Sequence, residues 1–93
     1  MLITTTQSVE GKNIKEYKNI VFGEKIELRS GFTIFGKYEE VINKARNEAI
    51  NKMTKDAEEL GANAIIGTKI DVTPLGDSSY LVVTASGTAV VIE

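Results

Sequence analysis

The sequence predicts an α+β fold, one long helix laid on a strand-rich remainder, and two observations carry that reading. Over residues 38–60 apolar side chains recur every three or four positions, the period of a helix with one buried face. On either side of that stretch the period falls to two, in runs rich in Val, Ile and Thr that suit strands.

Taken in order, residues 2–9 are rich in Thr and β-branched side chains, and Glu10-Gly11-Lys12-Asn13 supplies a turn before a second strand-like run at 14–22. These two segments are expected to pair as a hairpin. Residues 24–28 alternate charged and apolar positions, and 29–37, with Gly31 and Gly36 around Phe32-Thr33-Ile34-Phe35, read as an irregular, partly buried loop.

The helix is the most strongly specified element. Its stripe is Tyr38, Val41, Ile42, Ala45, Ala49, Met53, Ala57 and Leu60. Glu39 and Glu40 fall in the first turn, where the positive end of the helix dipole favours acids, and Gly61 follows as a left-handed cap would. Glu40, Lys44, Glu48, Lys52 and Asp56 alternate in sign at four-residue spacing, a ladder suited to a solvated face. Arg46 and Asp56 are the two charges that fall near the apolar stripe.

The last third reads as two strands, 64–72 and 80–92, joined across 73–79 as a hairpin. One face of the final run carries Leu81, Val83, Ala85, Gly87, Ala89 and Val91, small in the middle, where a helix backbone could approach closely. The other carries Tyr80, Val82, Thr84, Ser86, Thr88, Val90 and Ile92. A strand apolar on both faces needs cover on both, and one helix covers only one. At about 3.3 Å per residue the final strand would also span about 43 Å, so it must bend, with Gly87 as the natural place, or reach a neighbour. A homo-oligomer is therefore expected, with residues 2–28 folding over the second face as the competing arrangement.

Composition bounds the rest. The 93 residues suit one domain, 1–93, and a chain this short buries only about 60 to 65% of its unfolded surface, so association is a natural stabilising device. Cysteine is absent, which removes disulfides from consideration. Eleven basic against 13 acidic residues, with no basic run, give no support to a nucleic-acid partner. No apolar segment is long enough to span a bilayer and the N-terminus does not resemble a secretory signal, so a soluble cytoplasmic protein without a membrane partner is expected.

Catalysis has little to work with. There is no His for proton transfer, no Cys nucleophile and no phosphate-binding or dinucleotide-binding glycine pattern, so a non-enzymatic protein with no cofactor is expected. Met1 and Met53 are the only sulfur donors, and Met53 belongs to the helix stripe. Asp71, Asp77 and Glu24 are candidate hard-cation ligands but form no clustered loop, so no metal site is assigned. Arg29, Ser30 and Lys37 lie near the helix start, where free N–H groups favour anions, and are the candidate small-anion ligands.

Ile3-Thr4-Thr5-Thr6, Gly11, Ile14, Tyr17, Ile20-Val21 with Gly23-Glu24, Ala45-Arg46, Leu60-Gly61-Ala62-Asn63-Ala64 and Thr84-Ala85-Ser86-Gly87-Thr88-Ala89-Val90 follow in an order and spacing that resemble the YbjQ-like family of small bacterial proteins. The resemblance covers nearly the whole chain. It implies a dodecin-subunit-like β-α-β-β core, one helix on an antiparallel sheet with extra N-terminal strands, assembled as a homopentamer. It implies no established biochemical activity, although members are often labelled heavy-metal-binding, which makes a metal- or small-anion-binding protein the alternative reading. The segment 25–37 is shorter than is usual in the family. By its place in the family-like strand, Asp71 is the expected partner of Arg46 across a subunit interface.

Overall fold

The apolar spacing over 38–60 becomes one helix, α1 (Tyr38–Glu59), in a computed structural model that describes residues 1–28, 38–77 and 80–93, Tyr38 by its backbone only. The loop expected at 29–37 lies outside the described residues, and Arg29, Ser30 and Lys37 with it. Ala45, Ala49, Met53 and Ala57 are at most 1% exposed, so the buried stripe is narrow and made mostly of alanine. Arg46 and Asp56, close to that stripe on the wheel, both reach solvent.

The helix stops where the sequence tells it to. Gly61, at φ +80°, lets the chain reverse, its N–H donating to the Glu58 carbonyl and that of Ala62 to the Ala57 carbonyl, the paired bonds of a Schellman cap. Asn63 follows and clamps the sheet. Its backbone N–H donates to the Val90 carbonyl, its side-chain amide donates to the Ile92 carbonyl at 2.9 Å, and its Oδ1 accepts from the Ile92 N–H at 2.8 Å.

Four strands, β1 (Leu2–Ile3), β2 (Ile14–Leu28), β3 (Ala64–Leu75) and β4 (Tyr80–Ile92), form one sheet in the order β1-β3-β4-β2. The expected β3–β4 hairpin is present. The expected hairpin between the first two segments is not, because β1 pairs parallel with β3 and β2 pairs antiparallel with β4, so the sheet is mixed. β1 is only two residues long for a local reason. The Thr4 hydroxyl accepts from the Thr6 N–H and the Thr6 hydroxyl donates to the Ser8 carbonyl, so side chains offer the backbone partners that compete with a ladder. The segment still follows the β3 edge, with Thr4 N–H on the Ile65 carbonyl and the Gly67 and Thr68 N–H groups on Thr6 and Thr4.

β2 runs through Gly23 to Leu28, taking in the charged-apolar alternation at 24–28. Gly23 is where the helix comes closest. A Cβ there would collide with the Ala49 carbonyl and lie 2.6 Å from the Met53 amide nitrogen. The close approach expected at the small residues of the final strand therefore falls on its neighbour, while a Cβ on Gly87 would instead meet Ile65, Ile66 and Thr68 within the sheet.

Alternation divides the sheet into two faces. Val21 and Gly23 share the helix side with Val83, Ala85 and Ala89, and these pack with Ile65 against α1. The helix lies over β2 and β4 and touches β3 only slightly, which leaves Ile70 and Val72 half-exposed on that side. On the far side the N-terminal segment brings Val9 over Ala64, Ile66 and Val90, with Ile14 and Ile92 beside them. Among the described residues nothing covers the rest of the far side. Ile20, Phe22, Ile26 and Leu28 are each more than half exposed there. The cover expected from residues 2–28 is present only in part, since residues 1–13 cover one end of the second face and leave the other open.

β3 and β4 lose register between Ile66 and Lys69, with Gly67 at φ +60°, the signature of a glycine bulge that twists the strand as it leaves the β1 edge. The chain does not fold short at Gly87. Its longest dimension is 47 Å, and its Cα radius of gyration, 15.2 Å, exceeds the roughly 12 Å of a compact chain of this length.

Candidate functional site

Three open hollows stand out on the surface of the described residues. The first, about 570 Å³, lies along the outer edge of β2 between Phe22, Gly23, Glu24, Lys25 and Ile26 and the helix residues Lys52 and Asp56. Lys52 reaches across it and donates to the Glu24 carbonyl at 2.8 Å. The Ile20 N–H is capped by its neighbour's Asn19 Oδ1 at 2.8 Å. The β2 edge is thus partly satisfied by its own side chains, as edge strands that must avoid promiscuous pairing often are. The sequence placed Lys52 in the outer charge ladder and gave no sign of this contact.

A second hollow, about 510 Å³, is walled by Leu2, Thr4, Thr6, Ser8, Val9 and Glu10. The Thr4 and Thr6 hydroxyls there lie 2.9 Å apart, and that of Thr6 donates to the Ser8 carbonyl. The third, about 290 Å³, lies on the helix flank beside Glu39, Ile42, Asn43 and Arg46. There Arg46 donates to Asn43 Oδ1 at 3.1 Å.

Asp71 is on the other side of the sheet from Arg46. It pairs in register with Thr84, whose neighbours Val83 and Ala85 are buried against the helix, so Asp71 points away from α1. Within one subunit the two expected partners are separated by the sheet itself. Asp77 and Glu24, the other hard-cation candidates, do not join Asp71, and among the described residues no three His, Cys, Asp or Glu side chains come together. No helix among those residues is long and apolar enough to cross a membrane.

Comparison with known proteins decides the family. A family model described as "Putative heavy-metal-binding", that of the YbjQ family, matches residues 1–93. The chain belongs to that family. Curated YbjQ-type relatives agree: UPF0145 proteins of Listeria monocytogenes, Listeria innocua and Listeria welshimeri are each 49% identical over 107 residues, covering 100% of this chain and 96% of theirs. The alignment is longer than the chain's 93 residues, so those relatives carry residues with no counterpart here. The fold agrees as well. A crystal structure of a protein of unknown function from Pediococcus pentosaceus, assigned to the DUF74 family, superposes with a TM-score of 0.70 at 23% identity and covers 100% of this chain and 98% of that one.

The YbjQ-family description prompts a test of the donor set. Thiophilic ions are held by thiolate and borderline ions chiefly by thiolate or imidazole, and this chain has no Cys and no His. Met53 is fully buried in the helix core. The residues present do not fit a heavy metal.

Proposed function

We propose that this YbjQ-family chain is the subunit of a closed homo-oligomeric ring, a homopentamer, acting as a non-enzymatic binding or scaffold module. The observation that carries the reading is the bare far face of β2, where Ile20, Phe22, Ile26 and Leu28 stand more than half exposed in a row. An apolar strip of that kind on a stable protein marks an association surface. A second copy is the occupant, because the chain carries complementary features on its two sides. Asp71 rises from the far side, and on the helix side Arg46 reaches solvent and Ile70 and Val72 of β3 are half-exposed.

Groups on opposite sides of one sheet meet only when subunits stack front to back. A face-to-face dimer would bring like surfaces together and leave Arg46 unpaired. Front-to-back contacts are heterologous and close into rings when the rotation permits. The elongated shape agrees, since a subunit this extended gains most of its missing burial from neighbours.

Light scattering at micromolar concentration, combined with charge reversal, tests the proposal. Wild type is expected to be a single oligomer, Arg46→Asp and Asp71→Arg each to shift it toward smaller species with an unchanged far-ultraviolet spectrum, and the double reversal to restore it. A monomeric wild type would overturn the assembly. An oligomer indifferent to both reversals would overturn the pairing.

A further inference from the structure

We infer that this chain takes up no thiophilic or borderline metal ion, so that heavy-metal coordination is separable from the fold and full-length sequence match that place it in its family. The match spans residues 1–93 and carries a heavy-metal-binding description, yet the sequence supplies neither a thiolate nor an imidazole anywhere along it. Whatever residues hold such an ion in a relative that binds one, the shared fold does not require them.

The remaining donors are weak or already engaged. Met53 is 0% exposed, packed among Ala45, Ala49, Ala57 and Val21, and Met1 offers a single accessible thioether. Carboxylates are plentiful, but at Lys25, where two of them converge, a lysine stands between them. Glu48 and Glu27 both approach Lys25 Nζ, at 3.2 and 4.0 Å, so an ammonium fills the position a cation would take. Glu16 and Glu93 are likewise engaged by Lys18 and Lys15. Among the described residues no third carboxylate joins any such pair. Carboxylate oxygens prefer hard cations in any case, and assembly multiplies the donors a chain has without changing their kind.

The test is native mass spectrometry with a parallel melting curve on untagged full-length protein, stripped with chelator and then incubated with excess Zn²⁺ or Cd²⁺. The expected spectrum after buffer exchange shows protein mass alone, and the expected change in Tm is under about 2 °C. An ion held at a hundredfold excess over its Kd would raise Tm by about 10 °C or more for a chain of this size. Retention of an ion in fixed ratio to subunit or assembly, with such a rise, would overturn the inference. The same spectrum reports the number of subunits, so failure of the ring and failure of this inference are read separately.

Discussion

The two faces of the sheet are built from different side chains. Directly under α1 the sheet is lined mainly by glycine, alanine and valine, with Ile65, and is almost wholly buried, whereas the far face of β2 carries isoleucine, leucine and phenylalanine left more than half exposed. Small residues of β2 stand where the chain's own helix must come close, and its large apolar ones where no described element of the chain arrives. In the proposed assembly, hydrophobic size marks two different partners, the chain itself on one side and a second copy on the other.

The contrast is broken most forcefully at Gly23. Gly23→Val should cost at least about 3 kcal/mol, because the added carbons meet the backbone of Ala49 and Met53 and cannot be relieved by a rotamer change. Urea unfolding measures this, and a loss below about 1 kcal/mol would mean that the helix can lift without penalty. Replacing Phe22 and Ile26 together by Ser probes the other face. The subunit should lose no more than about 1 kcal/mol of its own stability, while association weakens by about a hundredfold or more, read by sedimentation across a dilution series. If stability falls and association does not, the far face is covered from within. The smallest effect is expected at Thr68, which is 8% exposed and whose hydroxyl has no hydrogen-bond partner among the described residues. Thr68→Val should leave stability unchanged or raise it by up to about 1 kcal/mol, since it removes a buried polar group whose desolvation nothing offsets.

Much of this architecture is legible in the sequence. The helix over 38–59 is set by a stripe of period 3.6 and a glycine stop, and both act locally. The final hairpin is equally local. What stays hidden depends on distant partners. Gly23 reads as the end of a strand, yet it lies mid-strand and is small because a helix some 26 to 30 residues later crosses it. The parallel pairing of β1 joins Leu2 to Ala64, a register no nearby residue announces. In the candidate site, Arg46 and Asp71 could be singled out from sequence, but that they stand on opposite sides of the sheet follows only from the β3–β4 register. The Lys52 bond to the Glu24 carbonyl was invisible for the same reason, because a charge ladder on a helix says nothing of which strand edge lies beside it.

The strand order sets a schedule for synthesis. β4 lies between β2 and β3 in the sheet and follows both in the chain, so each of those long strands waits for residues 80–92 before its main partner exists. Until then a nascent chain holds at most a helix, the short β1–β3 pairing and an unpaired β2 with its exposed Phe22 and Ile26. The interval between making β2 and making β4 is accordingly when this protein is most exposed to aggregation, and when a chaperone that shields extended apolar segments would matter most.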